Sequence, residues 1–504
     1  MSYLLRSSVL VLLVLAARPA HAAWTLTSTT PWPRGEVFVC YTVNIAAQPR
    51  FADWLAVTKE AVSNTWEQVA NVHFIGWTPC GANDPIAKVV IEYVPCGFQM
   101  PPAGYVGGPI QFSVDFNNSD PYKDTAHPEW GTVCNSGNNS TQNRWAYFAV
   151  HELGHALGLQ HEQNRTENLA GGVPICNNRI GPGGPQNNLG TPYDNESVMG
   201  YCNSSNGRGY WDARVGWTHT ISPWDIVGIQ NFYGRKPLGS IVGIHASCVV
   251  ADSTALMAGL HTAACPGSQL SSFSRSYTPG NYTFNTWFWG SPYSAMCIDV
   301  PNASLSWWGT VLWSYACNNS VAQQFELDTV QWKSIGDQCV VAPVATAGAT
   351  LQQQPCAPAV HERWNFDNDA GGLGFRIHLG TTGLCVDTPI NVYANTRPIL
   401  GPCGTGTGAP NQIFTVTTAG EIQSHGMCLA VAGHTPAAAN SIQFEACNGS
   451  RPVDAQRFHL TGPIHGMGGT CLDFDSYGRI ELFACNASTS SQTWDYYFTG
   501  YSFY

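Results

Sequence analysis

The sequence is short of charged residues and of long apolar runs. Only 11% of its 504 residues are charged, and the formal net charge is -11. A chain with so few cations lacks the basic patch that attracts phosphate backbones, so we expect no nucleic-acid partner. Beyond the N-terminal segment, no stretch approaches the ~20 apolar residues that cross a bilayer. We therefore expect no membrane span.

The first 22 residues have the three parts of a secretory signal. Arg6 supplies a positive start, an apolar run follows over 9–17, and the Ala-His-Ala at 20–22 has the small-x-small pattern of a cleavage site. The mature chain would then begin at Ala23. The 18 cysteines are consistent with secretion, because disulfides persist in the oxidising extracellular environment. We predict a secreted, extracellular protein.

Residues 23–236 mix strand-like and helix-like patterns, which predicts an α+β domain. Alternating or continuous apolar stretches predict strands over 36–44, 72–77, 87–94 and 109–116. Apolar residues at three- to four-residue spacing predict helices over 51–69 and 143–158. Ser222, Pro223 and Asp225 have the pattern of an N-cap, a first-position proline and a capping-box acid, and so predict a third helix over 221–234.

Five residues between positions 151 and 161 stand at intervals that suit a metal site: His151, Glu152, His155, Gly158 and His161. His151 and His155 are one helical turn apart and point to the same side, so they can share one ion. In a continuous helix His161 would lie about 9 Å further along the axis and on another face. Gly158 can adopt a left-handed conformation without steric cost, so we predict that the helix ends there and the chain turns back.

Three histidines would leave the fourth position of a zinc ion open, which is typical of a catalytic site and not of a structural one. Zinc lowers the pKa of a bound water to about 7 and polarises a carbonyl. Glu152 would stand beside that water, take its proton and pass it to the departing amine. The alternative is an ordinary surface helix that carries histidines, and it does not account for Gly158 and His161.

The full H-E-x-x-H-x-x-G-x-x-H pattern resembles the metzincin metalloproteases, and the Glu162 that follows it resembles the astacin branch. YDNESVMGY at 193–201 and ISPWDIVGIQNFYG at 221–234 are similar to the Met-turn and the closing helix of that family. The resemblance implies an astacin-like metalloprotease domain of zincin type over residues 23–236. It also implies that Met199 lies beneath the metal and that Tyr201 is a further zinc ligand that stabilises the oxyanion.

The resemblance assigns Glu162 a second role. In astacins this glutamate binds the mature N-terminus through a buried ion pair. The Trp-Pro-Arg-Gly stretch at 32–35 resembles the one that opens the first strand of the family, and Ala23 precedes it by much the interval seen from a mature N-terminus. We therefore expect signal-peptide cleavage to produce the functional terminus directly.

After residue 239 the sequence becomes repetitive. Six units each contain two cysteines, and five of them end in Gln-x-aromatic or a relic of it. The cysteine pairs are 248 and 265, 297 and 317, 339 and 356, 385 and 403, 428 and 447, and 471 and 485. A recurring unit of this size indicates a repeat architecture, although propeller blades have a similar period. The cysteine pairs and the Gln-x-aromatic ending resemble ricin-type β-trefoil lectins, which have three units per trefoil. The resemblance implies two all-β trefoil domains, over 240–372 and 373–504.

Two of these units carry the complete set of sugar-binding residues that the lectin resemblance implies: an acid, an aromatic ring, an Asn and a Gln. The sets are Asp299, Tyr315, Asn318 and Gln323 in the second unit, and Asp473, Phe483, Asn486 and Gln492 in the sixth. A carboxylate can accept hydrogen bonds from two hydroxyls while a ring covers the apolar face of a sugar. The fourth unit keeps Asp387 and Gln412 without the aromatic. The alternative is that these acids are turn residues in silent repeats.

Together these features predict a secreted, zinc-dependent endopeptidase that carries one catalytic Zn²⁺ ion, cleaves proteins or peptides, and is targeted by trefoils that bind glycans or glycoproteins. The first alternative is a secreted, non-catalytic lectin or adhesin with a retired protease domain. The intact His151, Glu152, Met199 and Tyr201 argue against it. The second alternative is another metzincin branch, which a non-ligating Tyr201 would favour.

Overall fold

The structure is a computed structural model of the chain. The residues that it describes are 24–94, 98–99, 104–114, 142–166, 184–191, 193–194, 196–200, 211–212, 216–217, 221–236, 239–265, 269–278, 281–286, 296–306, 309–318, 320–327, 329–357, 362–367, 374–389, 391–405, 409–417, 419–448, 455–486 and 489–498. Among these residues, no helix is both long and apolar enough to cross a membrane.

The N-terminal part contains helices and strands around one apolar core. Its strands are Thr25–Leu26, Glu36–Tyr41, His73–Pro79, Lys88–Tyr93, Phe98–Gln99, Pro109–Val114, Gln186–Asn187, Trp211–Asp212 and Gly216–Trp217. Its α-helices are Val43–Ala46, Phe51–Ser63, Trp66–Val69, Gln142–Ala156 and Pro223–Tyr233. The core packs Trp54, Trp66 and Leu153 from three different helices against Val39 and Phe112 of the sheet. The mixture of helix and strand is the α+β pattern that the sequence predicts.

Five of these strands form one sheet. Its order is His73–Pro79, Glu36–Tyr41, Lys88–Tyr93, Pro109–Val114 and Phe98–Gln99. The first three pairings are parallel and the last is antiparallel. The prediction of a strand over 36–44 is too long, because the strand ends at Tyr41 and Val43 begins a short helix with its side chain 75% exposed.

The helix predicted over 51–69 is interrupted. Phe51–Ser63 ends before a second short helix, Trp66–Val69, begins. The hydroxyls of Ser63 and Thr65 donate to the carbonyls of Glu60 and Ala61 at 3.0 and 2.7 Å. Side chains that bond to nearby backbone compete with helix continuation, which accounts for the break.

The closing helix, Pro223–Tyr233, begins as the sequence predicts. The Ser222 hydroxyl accepts the N–H of Asp225, and the Asp225 carboxylate accepts the N–H of Ser222. This reciprocal pair is the capping box, and Pro223 occupies the first turn. The helix then buries its middle residues, including Ile226 and Ile229, against the N-terminal core.

The C-terminal part consists of strands and short turns. Its strands are Ile241–Val242, Ser247–Ala251, Ala258–Ala264, Ser274–Thr278, Asn281–Thr286, Met296–Asp299, Thr310–Val311, Trp313–Ala316, Val330–Lys333, Cys339–Val341, Gln352–Gln354, Arg363–Asp367, Arg376–Leu379, Leu384–Asp387, Ile399–Pro402, Thr415–Val416, Ile422–Ser424, Met427–Val431, Ile442–Glu445, His459–Gly462, Cys471–Phe474, Ile480–Phe483 and Trp494–Tyr497. The six predicted cysteine pairs all form disulfides, one within each repeat unit. In the N-terminal part, Cys40 and Cys80 form a disulfide that the sequence did not single out.

We number the repeat units one to six in chain order. Units one, two and six pair with one another. Ala258–Ala264 of unit one pairs with Trp313–Ala316 of unit two, and Thr310–Val311 of unit two pairs with Ile480–Phe483 of unit six. Unit one also pairs with the end of unit six, where Ile241–Val242 meets Trp494–Tyr497. These three units therefore form one closed group.

Units three, four and five form a second group. Isolated bridges join Thr350 of unit three to Ile399 of unit four and Gln352 of unit three to Ser441 of unit five. The third side closes where the N–H of Asn395 in unit four donates to the carbonyl of Phe444 in unit five at 2.8 Å. Each of the three units thus contacts the other two.

The strand pairing does not coincide with the predicted division between residues 372 and 373. That division assigns unit three to the first group and unit six to the second, and it stays a prediction; in the strand pairing, unit six contacts units one and two, and unit three contacts units four and five. The physical reason lies at the junction, where Val330–Lys333 and His459–Gly462 pair antiparallel. The chain enters and leaves the middle group through adjacent strands, and adjacent ends allow one compact unit to be inserted within another.

Polar contacts join the N-terminal part to the repeats. Gln68 donates to the Asp495 carboxylate at 2.6 Å and accepts the N–H of Ala246 at 3.1 Å. Arg235, just after the closing helix, donates to the carbonyl of Arg457 at 3.0 Å. The first unit and the last unit are thereby both tied to the helical part.

Candidate metal centre and repeat sites

The three histidines of the motif come together in the structure. His151 and His155 lie one turn apart on helix Gln142–Ala156, and His161 immediately precedes the next helical turn. Their candidate ligand atoms all lie within 4.8 Å of one another. The Nε2 atoms of His155 and His161 are 3.1 Å apart. Two nitrogens about 2.0–2.1 Å from a tetrahedral zinc ion would be ~3.3 Å apart, so the arrangement fits one ion.

The end of the histidine helix determines where His161 goes. Gly158 has a φ of 97°, in the left-handed region. Its N–H donates to the carbonyl of His155 at 2.9 Å, and the N–H of Leu159 donates to the carbonyl of Gly154 at 3.0 Å. This pair of bonds is the Schellman ending of a helix. The break at Gly158 confirms the prediction from the sequence, and it turns the chain so that the His161 ring faces the other two.

Backbone carbonyls orient two of the rings. His151 Nδ1 lies 2.7 Å from the carbonyl of Val198, and His155 Nδ1 lies 2.7 Å from the carbonyl of Leu159. A carbonyl only accepts, so in each neutral ring Nδ1 carries the proton and Nε2 carries the lone pair. Second contacts of this kind fix the tautomer and orientation of metal-ligating histidines.

Burial keeps the three rings neutral. It lowers the pKa of His151 to about 4 and the pKa of His161 to about 3, and the neighbouring His151 lowers that of His161 further. The pKa of His155 also lies well below its ordinary value, first because of burial and then because of the two adjacent rings. A histidine must be neutral to bind a metal, so the site is ready for a cation near neutral pH.

Met199 lies against the histidine helix. It is fully buried, and a Cβ added to Gly154 would fall 2.5 Å from its sulfur. Gly154 lies between the two helical histidines, so only a residue without a side chain lets the methionine approach at this point. The carbonyl of Met199 accepts the N–H of Glu162 at 3.0 Å, which links the Met199 turn to the residue after His161.

In the second repeat unit, the Asp299 carboxylate is held by two donors. Gln323 Nε2 donates to Oδ2 at 2.8 Å, and Trp313 Nε1 donates to Oδ1 at 2.7 Å. Tyr315 stacks on Trp313 with ring centroids 6.0 Å apart. Asn318 is exposed, and its N–H donates to Gln323 Oε1 at 2.8 Å. The four predicted residues therefore lie in one small region, together with a tryptophan that the resemblance did not single out.

The sixth unit repeats this arrangement. Gln492 Nε2 donates to Asp473 Oδ2 at 2.8 Å, and the N–H of Asn486 donates to Gln492 Oε1 at 2.7 Å. Phe483 is 39% exposed, so its ring is accessible to solvent. Asp473 itself is only 7% exposed, and the N–H of Phe474 donates to its second oxygen.

The repeat glutamine has the same internal contacts in units that lack a complete sugar set. Gln412 accepts from Gly404 and donates to Pro402 and Asp387. Gln456 of the fifth unit accepts from Asn448 and donates to the carbonyl of Ala446 at 2.9 Å. The glutamine therefore fixes the chain after the second cysteine in every one of these units, and it positions an acid wherever one is present.

Two family models match this chain. Residues 143–234 match the astacin peptidase family, and residues 373–494 match the ricin-type beta-trefoil lectin domain. One segment of the chain is thus similar to astacin peptidases and a later segment to ricin-type lectins. It is 27% identical over 216 residues to bone morphogenetic protein 1 of Xenopus laevis, covering 41% of this chain and 24% of that protein. It is 43% identical over 58 residues to beta-galactoside-specific lectin 3 of Viscum album, covering 11% of this chain and 10% of that protein.

The chain thus spans about a quarter or less of the length of either curated relative. Among solved structures, myroilysin is similar at 16% identity with a TM-score of 0.26, covering 42% of this chain and 98% of that one. The earthworm R-type lectin C-half is similar at 15% identity with a TM-score of 0.21, covering 27% of this chain and 98% of that one. TM-scores this low support no conclusion, so the family assignments rest on the sequence matches.

Of the other residues predicted to act near the metal site, the structure describes Glu152 and Glu162. Glu152 is only 4% exposed and follows His151 on the helix. Glu162 is fully buried, and its Oε1 lies 3.2 Å from Arg165 Nη1 and accepts the N–H of Asp194 at 2.9 Å. Burial raises the pKa of Glu162 well above its ordinary value, and Arg165 opposes that effect. Tyr201 and Ala23 lie outside the described residues.

Sequence reasoning missed the cation beside Glu162. Arg165 is fully buried, and it also donates to the carbonyl of Thr191 at 3.0 Å. The signal was the Arg three residues after a Glu, a spacing at which side chains meet across a turn. Trp24 was also missed: its indole N–H donates to the carbonyl of His161 at 3.1 Å, and its carbonyl accepts the N–H of Gln160 at 2.9 Å. The residue that follows Ala23 thus lies beside the metal motif.

Proposed function

We propose that this protein is a secreted, zinc-dependent endopeptidase that glycan-binding repeats carry to its substrates. The match of residues 143–234 to the astacin family supports a zinc metalloprotease, and the match of residues 373–494 to the ricin-type lectin domain supports carbohydrate binding. The observation that carries the proposal is the convergence of three neutral imidazoles on one point, the buried His151 and His155 and the half-buried His161.

The donor set suits zinc. Three nitrogen ligands with one position left open form the arrangement of catalytic zinc sites. When bound, zinc supplies Lewis-acid polarisation of a carbonyl and a lowered pKa for water. His151 and His155 would present Nε2, because the carbonyls of Val198 and Leu159 hold the proton on Nδ1. Met199 would support the ligands from below through its contact with Gly154.

Glu152 would handle the protons of the reaction. Its position next to His151 directs it to the same end of the helix as the ligands, and its burial excludes bulk water. It would accept a proton from the attacking water and deliver it to the departing amine. Tyr201 would be a further ligand whose hydroxyl stabilises the oxyanion. Y201F would then lose activity while retaining the three histidine ligands.

Glu162 would bind the mature N-terminus. The contacts of Trp24 with Gln160 and His161 support this, because they hold the residue after Ala23 close to Glu162. An ammonium group there would share the buried carboxylate with Arg165. Removal of a signal peptide after residue 22 would create that group. N-terminal sequencing of the secreted protein tests the idea, and a start well past Ala23 would refute it.

The repeats would bind sugars through units two and six. Asp299 and Asp473 would accept hydroxyl hydrogen bonds, and Tyr315 and Phe483 would cover the apolar face of the ring, with Asn318, Gln323, Asn486 and Gln492 completing the two sites. Two groups of three units suit two trefoils, and we propose that units one, two and six form one of them. Both sugar sites would then belong to the same trefoil, which fixes their separation.

The catalytic proposal is tested with casein as substrate. Wild-type protein should cleave casein, a chelator should stop the cleavage, and E152Q should abolish it without loss of zinc. E60Q changes an exposed glutamate on another helix and should cleave like the wild type. Unchanged cleavage by E152Q would refute the mechanism. A protein that binds glycans but never cleaves would favour the alternative, a secreted lectin or adhesin with a retired protease domain.

A separate test addresses the repeats. On a glycan array, D299A should remove the ligands of unit two and D473A those of unit six, and the double variant should bind nothing that these two sites recognise. D252A alters an exposed aspartate of unit one and should leave the array pattern unchanged. If the double variant bound the same glycans as the wild type, the assigned sugar sites would be wrong.

A further inference from the structure

A concave surface of about 470 Å³ opens where unit three meets unit six. One wall contains Gln331 and Arg363 of unit three, and the other contains Thr461, His465 and Thr489 of unit six. The walls meet because Gln331 pairs with both Arg363 and Thr461 in the sheet. We name this concave surface the seam pocket. It exists only because units three and six are neighbours.

The charge of the seam pocket is opposite to that of the chain. No aspartate or glutamate is among its lining residues, although the net charge of the protein is -11. Arg363 brings a guanidinium to it, and within the described part of the chain no carboxylate pairs with that group, which donates instead to the carbonyl of Thr329 at 3.2 Å. Asp473 and Asp495 do bond to the lining residues Gln492 and Thr461, but neither lines the pocket.

The remaining lining is rich in groups that suit hydroxyls. Besides Gln331 it contains four threonines and the amide side chains of Asn486 and Gln492. His465 Nδ1 is buried and has no hydrogen-bond partner among the described residues. The volume lies within the range of about 300–1,000 Å³ that holds small ligands. Many neutral donors and acceptors around one cation suit a polyhydroxylated anion better than a phosphate, which usually takes several cations.

We propose that the seam pocket binds an acidic sugar, with Arg363 paired to its carboxylate. A guanidinium can donate two parallel hydrogen bonds to a carboxylate, which gives both energy and orientation. The threonines and amides would bind the ring hydroxyls. The seam pocket shares Asn486 and Gln492 with the proposed site of unit six, but its lining contains Arg363 and not the aspartate that would bind hydroxyls there and repel an acid. The repeats would then bind two chemical classes of sugar, acidic sugars in the seam pocket and neutral sugars in units two and six.

The test measures binding of free sugars to the full-length protein by saturation-transfer NMR. D-glucuronic acid, D-galacturonic acid and methyl-glycosidic N-acetylneuraminic acid are the acidic probes, D-glucose is the neutral match for the first, and D-glucose 6-sulfate separates a sulfate from a carboxylate. At least one carboxylate sugar should bind, its affinity should fall at least 10-fold in R363A, and R363K should lie between R363A and the wild type, because Lys keeps the charge without the fork.

Two controls make the result specific. R397A removes an exposed arginine of unit four and should bind as the wild type does. D299A changes the proposed site of unit two, which shares no residue with the seam pocket, and should retain binding of the acidic probe, so a failure of that neutral-sugar site is distinguishable from a failure here. The proposal is overturned if no carboxylate sugar binds, if R363A lowers binding of the sulfate or the neutral sugar as much as that of the carboxylate sugar, or if R363A that is folded by circular dichroism binds the acidic probe like the wild type.

Discussion

Asp225 accepts the backbone N–H of Val198 at 2.8 Å, and the carbonyl of Val198 lies 2.7 Å from Nδ1 of the metal-motif residue His151. The closing helix therefore orients a zinc-ligand candidate that lies far away in the sequence. The other contacts of Asp225 strengthen this link, because it also accepts the hydroxyl of Ser197 at 2.7 Å and is fully buried.

We predict that D225A weakens both the fold and the metal site. Loss of the carboxylate leaves buried donors on Ser197, Val198 and Ser222 without their acceptor, at about 1–3 kcal/mol for each unsatisfied group. Loss of ligand support typically lowers metal affinity about 10–100-fold. Urea unfolding and zinc competition with a chelator measure the two effects. D53A, at an exposed acid of helix Phe51–Ser63, should change neither. Equal zinc affinity in D225A and wild type would contradict this role.

The left-handed turn at Gly158 should be intolerant of any side chain. In G158A the backbone would be strained by about 1–2 kcal/mol, and the new Cβ would also lie 2.5 Å from the Thr29 methyl. G383A is the matched control, since Gly383 has a φ of 71° and open space around it, so only the backbone strain applies. We expect G158A to lower the melting temperature more than G383A and to weaken zinc binding, which G383A should not. Equal effects of the two substitutions on both measurements would mean that the turn does not position His161.

Some features of the fold and the metal site could be predicted from the sequence, and others could not. A four-residue spacing places His151 and His155 on one face of a helix, and the glycine that follows allows a left-handed turn. The convergence with His161 could therefore be predicted from the local sequence. The capping box at Ser222 is local in the same way. The support of His151 by Asp225 was not visible, because nothing in either segment indicates that the two would meet. The helix break near Thr65 was also missed, because apolar spacing dominated the interpretation over 51–69.

The arrangement of the repeats was beyond local rules for a different reason. Each unit has the same cysteine pair and, in most units, the same glutamine bonds, so the disulfides within units were predictable. Similar units have similar surfaces, however, so the sequence of one unit does not indicate which other units it packs against. The simplest order, three consecutive units per group, does not by itself predict that Val330–Lys333 pairs with His459–Gly462.

This pairing can be tested by an engineered cross-link. Gln331 and Thr461 are direct partners across the junction, so Q331C/T461C should form a disulfide that peptide mapping under non-reducing conditions detects. Gln331 and Arg363 are partners within unit three, and Q331C/R363C is the positive control. A cross-link in the control but not in Q331C/T461C would show that units three and six are not neighbours.

Glu67 should make the stability of the fold depend on pH. Burial raises its pKa to about 7, although the N–H of Phe74 and the cation of Lys236 both favour its charged form. The folded state therefore binds a proton more tightly than the unfolded state. The stabilisation is present below pH 4.5 and is lost as the pH rises through about 7, by on the order of 3 kcal/mol. E67Q cannot ionise and should lose less stability over this range.

Urea unfolding at pH 4.5, 5.5 and 7.5 measures the effect as a difference between E67Q and the wild type. The comparison is necessary because burial also raises the pKa of Asp194 to about 7, which adds a slope of the same sign to both proteins. E60Q serves as the control for loss of an exposed carboxylate on the neighbouring helix. Parallel stability curves for E67Q and wild type would exclude Glu67 as the source.

The central claim is that His151, His155 and His161 hold one zinc ion. Zinc content by plasma mass spectrometry, after stripping and reconstitution, tests it most directly. We predict about one zinc ion per wild-type chain, and a large loss in H155A and in H161A, with no loss in H434A, which changes an exposed histidine of the fifth repeat unit. A wild-type protein that takes up no zinc, or an H161A protein that binds it as tightly as the wild type, would contradict the account.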